Sequence, residues 1–137
     1  MKFKTLSGAT RSVKKPSKYL IDWDGPSRSK IQRSVKLFLK EFWENKIVFE
    51  EFPMAGSKLS FDIFNASDKV AIEVQGQQHT KYTPFFHGKN KINYIDQLRR
   101  DKLKMDFCNT NEIRLIEVYF NDTVNISLFR KQGINLL

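Results

Sequence analysis

Between Ser29 and Asn45, apolar residues recur at Ile31, Val35, Phe38, Leu39 and Phe42, the spacing of one helical face. Ser29 and Gln32 have the separation of a capping box at its start, so a helix is predicted from there to about Asn45. Arg28, Lys30, Arg33, Lys36 and Lys40 fall on the rest of its surface. The period then changes. Residues 46–52 and 59–65 read as strands, separated by the turn Met54-Ala55-Gly56-Ser57. After a second turn, Ala66-Ser67-Asp68-Lys69, residues 70–74 form a short, mostly apolar run suited to a strand buried on both faces. Residues 76–91 read as a loop rich in Gly, His and aromatics. A second helix is predicted over 92–109, a fourth strand over 113–120 and a final helix over 124–132. This order predicts an α/β fold with a mixed sheet flanked by helices.

Residues 1–18 show no hydrophobic period, and a small apolar cluster, Tyr19-Leu20-Ile21 with Trp23, ends at Gly25-Pro26. The first 18 residues also hold Lys2, Lys4, Arg11, Lys14, Lys15 and Lys18 with no acid before Asp22. The expectation is a flexible basic arm over 1–26 and a folded domain over 27–137, the arm either tracking phosphates or forming a solvated tail.

Charge sharpens the choice of partner. Lys and Arg outnumber Asp and Glu by 24 to 15, a formal net charge of +9, which points to a polyanion: DNA, RNA or an acidic membrane surface. No apolar run approaches the roughly 20 residues that span a bilayer, so no membrane partner is expected. The lone Cys108 forms no internal disulfide, and with two His a structural zinc site is not expected. A cytoplasmic location follows as the expectation.

Two acids stand inside strand-forming segments: Asp62 in Ser60-Phe61-Asp62-Ile63-Phe64, and Glu73 in Val70-Ala71-Ile72-Glu73-Val74-Gln75. Burying such acids is costly unless their charge is compensated, and on strands joined by a tight turn they repel one another. A divalent cation between them answers both problems, and Mg²⁺ prefers one or two carboxylates with water and phosphate completing its shell. Alternation also permits either acid to point outward from an exposed sheet. Gln75 repeats on the strand face of Glu73, and Gly76-Gln77-Gln78-His79 follows at once.

Asp62, followed by Glu73-Val74-Gln75 within the order helix, three strands, helix, strand, resembles the PD-(D/E)XK nuclease superfamily. The resemblance covers roughly residues 27 to 120. It implies a restriction-endonuclease-like core, here with an extra C-terminal helix. The motif has an Asp near the start of the second strand and Glu-x-Lys in the third. Here Phe61 precedes Asp62 where Pro is usual, and Gln75 stands in place of Lys. Within the superfamily, Ile72 to His79, Arg100-Asp101-Lys102-Leu103-Lys104 and Ile113 to Val118 are similar to phage homing-type and very-short-patch-repair-like members. In that group a His past the third strand and an Asp on the following helix join the site, which maps onto His79 and Asp101. A first-helix Glu is common there, where this chain has Gln32, equally explained by capping.

The resemblance thus implies a Mg²⁺-dependent DNA endonuclease (with Mn²⁺ as a substitute) acting on double-stranded DNA. Asp62 and Glu73 would hold metal, Gln75 would position the attacking water, and His79 would move a proton or stabilise phosphate. Lys14, Lys15, Lys18, Arg28, Lys30, Arg33, Arg100 and Lys104 are the candidate DNA-contacting cations. Asp101 interrupts the helical stripe Tyr94, Leu98, Met105, Cys108, and an ion pair with Lys104 one turn away is its competing explanation. His79 is equally readable as an ordinary loop histidine. A phage homing endonuclease is the first expectation, a repair nicking or junction-resolving nuclease the second, and a non-catalytic nucleic-acid-binding domain the alternative class. A palindromic target would imply a homodimer.

Overall fold

The computed structural model describes residues 1–76 and 91–137. A short hairpin, β1 (Lys2–Lys4) and β2 (Thr10–Ser12), and a 3₁₀ turn at Pro16–Tyr19 lead into helix α1 (Lys30–Trp43). Strands β3 (Val48–Pro53), β4 (Ser60–Asn65) and β5 (Val70–Gln75) follow, then helix α2 (Lys91–Thr110), strand β6 (Arg114–Tyr119) and helix α3 (Ile126–Lys131). β3 to β6 form one mixed sheet in chain order. β3–β4 and β4–β5 pair antiparallel, as short turns allow, whereas β5 and β6 pair parallel, a connection too long for a turn. The fold is the mixed α/β arrangement read from the sequence.

α1 starts where expected, with Ser29 Oγ accepting the Gln32 N–H at 3.1 Å. Its buried side is Val35, Leu39 and Trp43, which join Ile63, Ile72, Ile116, Val118 and Phe129 of α3 in one apolar cluster. The other face of the sheet carries Phe49, Phe64 and Ala71, packed against Phe107 and Cys108 of α2 and against Phe3 and Val13. The sheet is therefore covered on both faces, which is why β5 could be so uniformly apolar.

Three expectations are corrected. Residues 1–26, expected as a flexible arm, are packed on the domain, Ile21 and Trp23 against the core and the Gly25 and Pro26 carbonyls bonded to α1. Phe3 packs its ring among Phe52, Phe64 and Phe107 at centroid distances of 6.1, 6.2 and 5.7 Å, and Thr5 and Val13 are also buried. Two or three apolar anchors are too few to show as a period, yet each inserts into the core. Lys36 is not on the surface of α1 but 0% exposed, its ammonium shared by Gly25 O, Pro26 O and Glu50. On α2, Leu98 and Met105 of the expected stripe are exposed, and the inward side is Phe107 and Cys108 with Leu103 partly buried. Among the described residues, no helix is long and apolar enough to cross a membrane.

Candidate active site

The sheet opens at one point. β3 and β4 pair on both sides of Glu51 and Asp62 but not at those two residues, and Glu51 has φ +52°. That left-handed conformation is rare for a side chain such as Glu and marks local strain. Its effect shows in the packing: Phe49 and Phe52, three residues apart, share a cluster, as do Phe61 and Phe64. Strict alternation would send each pair to opposite faces. The β4–β5 ladder likewise runs through Asn65↔Val70, Phe64↔Ala71 and Ile63↔Ile72 and stops just before Asp62 would face Glu73.

Carboxylates fill the gap left in the ladder. The Asp62 N–H donates to Glu73 Oε2 at 2.9 Å, and the Val74 N–H donates to Asp62 Oδ2 at 2.8 Å. Glu73 Oε1 accepts from the Lys104 ammonium of α2. Asp62 and Glu73 are both buried, 8% and 6% exposed. Burial, opposed by the hydrogen bond from Val74, raises the Asp62 pKa. Burial and then the Asp62 charge push Glu73 up to about 7, against the pull of Lys104. One ammonium faces two desolvated carboxylates. The pair is short of positive charge.

The two acids, with Gln75, Lys104, Arg100 and Asp101, line a cavity of about 480 Å³, bordered also by Ile31 and Gln32 of α1 and by Arg28 and Ser29 just before it. Gln75, predicted to share the face of Glu73, is buried on its wall. Asp101 is partly buried at the cavity, its pKa raised by burial and by Glu117. Lys104 makes its ion pair across to Glu73 rather than one turn back along the helix to Asp101. His79 lies outside the described residues. Of the candidate DNA contacts, Lys14, Lys15, Lys18, Lys30 and Arg100 are exposed. Arg28 lies 3.5 Å from Glu51, and Arg33 bonds the Gly25 carbonyl.

Sequence reasoning passed over the partners of Glu50 and the full meaning of Lys104. Glu50 joins Lys36 at 3.1 Å, Ser27 at 2.8 Å and Gln32 at 2.8 Å, so a buried polar network ties α1 to the strand beside the opening. The signal lay in the helical spacing: Gln32, Lys36, Leu39 and Trp43 follow one stripe.

The carboxylate pair could hold a hard divalent cation. Among the described residues, no three His, Cys, Asp or Glu side chains gather as ligands. Two carboxylates on a water-accessible wall, with Asp62 Oδ1 receiving no donor among the described residues, match a hard cation that keeps several waters.

Relatives are viral. An uncharacterized protein, 033L, of Invertebrate iridescent virus 3 is 34% identical over 90 residues, 66% of this chain and 45% of the relative. Uncharacterized protein 307L of Invertebrate iridescent virus 6 is 43% identical over 60 residues, 44% of this chain and 30% of the relative. Uncharacterized protein 094L of Frog virus 3 is 39% identical over 66 residues, 48% of this chain and 43% of the relative. The chain spans less than half the length of each. No family model and no solved structure matches.

Proposed function

We propose that this chain is a metal-dependent DNA endonuclease of viral setting, with a restriction-endonuclease-like core formed by α1, β3, β4, β5, α2 and β6. The observation that carries the reading is the meeting of Asp62 and Glu73 at a break in the sheet, buried, mutually repelling and open to a cavity. A structural ion pair would not leave two carboxylates sharing one ammonium in a desolvated wall.

Asp62 and Glu73 would hold Mg²⁺, or Mn²⁺ in its place. When bound, such an ion lowers the pKa of its water and offsets charge on phosphoryl oxygens. Lys104 brings from α2 the positive charge that Gln75 does not supply from β5. In this reading its ammonium holds Glu73 and stabilises developing negative charge on the phosphate. The Gln75 carboxamide orients the attacking water, and Asp101, kept more basic by burial and Glu117, takes a proton at the cavity edge. His79 serves as a further proton carrier. Arg28, Arg100 and the exposed lysines of residues 14 to 18 supply affinity for the phosphate backbone that falls with salt.

Supercoiled plasmid incubated with the protein and Mg²⁺ tests this. Nicked or linear product is expected from the wild type, and Asp62→Ala should lose cleavage by about 10²-fold or more while still shifting DNA in a gel. Gel shift without nicking by the wild type would favour a non-catalytic binder, and full cleavage by Asp62→Ala would refute this site.

A further inference from the structure

The turn between β3 and β4 lies at the same end of the sheet as the carboxylate pair. β4 runs antiparallel to β5, so the start of β4 and the end of β5 share that end. Lys58, Leu59 and Ser60 accordingly line the cavity of Asp62 and Glu73.

This turn is held more firmly than a surface connection requires. The Met54 N–H donates to the Leu59 carbonyl at 2.8 Å, and the Ser57 N–H to the Met54 carbonyl at 3.1 Å. Ser57 Oγ adds a bond to the Met54 carbonyl at 2.9 Å and accepts the Leu59 N–H at 3.0 Å. Gly56, at φ +81°, lies so close to Thr5 that a Cβ there would meet Thr5 Cγ2 at 2.6 Å. Thr5 directly follows β1 and is buried, so the β1–β2 hairpin braces the turn from outside.

On that braced turn stands an uncommitted cation. Lys58 is exposed and, among the described residues, makes no ion pair or side-chain hydrogen bond. Of the other cations that line the cavity, Lys104 is held by Glu73, and Arg28 lies 3.5 Å from Glu51. Asp62, Glu73 and Asp101 make the wall negative, which repels a phosphate unless positive charge offsets it. The charge left for a ligand is therefore Lys58 from the turn and Arg100 from α2. A fixed backbone under the lysine lowers the ordering cost of a contact made there.

We propose that Lys58 is a phosphate-binding residue, contacting the DNA backbone beside the scissile phosphate from a turn that the β1–β2 hairpin positions. The inference rests on the nuclease reading for the identity of the polyanion. Arg100 takes the backbone from the α2 side. Such contacts fix register and carry no base preference. The hairpin thus serves binding through packing, by way of Thr5 and Gly56.

Affinity for a labelled duplex, read by fluorescence anisotropy in EDTA from about 50 to 200 mM salt, tests this without cleavage. Lys58→Gln should weaken binding about ten-fold at the lower salt and flatten the slope of log affinity against log salt by about one, alike for every sequence. Lys58 is exposed, so its replacement leaves the core intact. Lys58→Arg should keep the wild-type slope. So should Lys69→Gln, an exposed lysine at the opposite end of β4. Gly56→Ala should flatten the slope too, yet add nothing in a chain that already carries Lys58→Gln. An unchanged slope in Lys58→Gln, a flattened one in Lys58→Arg, an equal change in Lys69→Gln, or additive effects of the Gly56 and Lys58 changes would overturn the proposal. Plasmid nicking by the wild type, with a slope that Lys58→Gln does not alter, would sink this contact alone. A flattened slope in Lys58→Gln with no nicking by the wild type would sink the nuclease reading alone.

Discussion

The backbone N–H of Asp62 donates to the carboxylate of Glu73 at 2.9 Å, where the ladder's regular pairing would have joined backbone to backbone. The acid thus replaces a main-chain carbonyl, and the neighbouring strand returns the exchange through Val74 and Asp62 Oδ2. The cost of holding both charges is met only in part by Lys104. In the proposed reading, stability and ion binding would be coupled through the same two side chains.

Glu73 is raised from its ordinary 4.5 to about 7, chiefly by burial and then by Asp62. Its contribution to stability is whole below pH 4.5 and is lost as pH rises through 7, because the unfolded chain releases the proton first. At about 1.4 kcal/mol per pH unit, the shift of Glu73 corresponds to a loss on the order of 3–4 kcal/mol across that window. Urea denaturation in EDTA should show this decline. Mg²⁺ should restore much of it at pH 8 and little at pH 5, since only the ionised pair binds the ion. A Mg²⁺ effect of equal size at both pH values would count against the pair as its ligands.

Lys104→Met removes the ammonium that faces Glu73. The variant should push the pair's titration higher still, lose stability at pH 8 by about 1–3 kcal/mol and lose little at pH 5. Cleavage should fall by about 10²-fold, with DNA affinity changed far less. Raising pH would then harm the variant more than the wild type. Equal sensitivity to pH in both proteins would show that Lys104 does not set the charge state of Glu73.

Much of this was legible in advance because the elements announce themselves. Capping at Ser29, the two turns and the apolar run at Val70 located α1 and the central strands to within a few residues. Asp62 and Glu73 stood out as acids among strand-forming neighbours, and the cavity holds both. What the sequence hid was set by tertiary geometry. Nothing local marks Glu51 for a positive φ, and hence for the twist that opens the sheet. Lys36 reads as a surface cation until β3 brings Glu50 to it. Phe3 reads as part of a basic tail until three other rings surround it. In each case the deciding partner is far away along the chain.

Lys36 and Glu50 supply a test of the network behind the site. The ammonium is wholly buried and the carboxylate side chain 13% exposed, with 3.1 Å between them. Lys36→Met should cost about 3–5 kcal/mol, because Glu50 is left charged and largely desolvated with only the neutral donors Ser27 and Gln32 to hold it. Adding Glu50→Gln should recover part of that loss. The double-mutant cycle in urea then gives the coupling directly, and additive effects would mean the contact is not energetically important.

The N-terminal segment separates packing from charge within fifteen residues. Phe3 is 9% exposed among aromatic rings, so Phe3→Ala should cost about 3 kcal/mol and lower the melting temperature. Lys14 and Lys15 are exposed on the same segment. Replacing both by Gln should leave the melting temperature unchanged, since neither side chain fills the core. If both touch phosphate, the slope of log affinity against log salt should flatten by about two, with affinity for every DNA sequence reduced alike. A double variant that binds with the wild-type slope would confine this segment to a structural role, with Phe3 as its anchor. DNA affinity would then have to come from Arg28, Arg100 and the first turn of α1, around the mouth of the cavity.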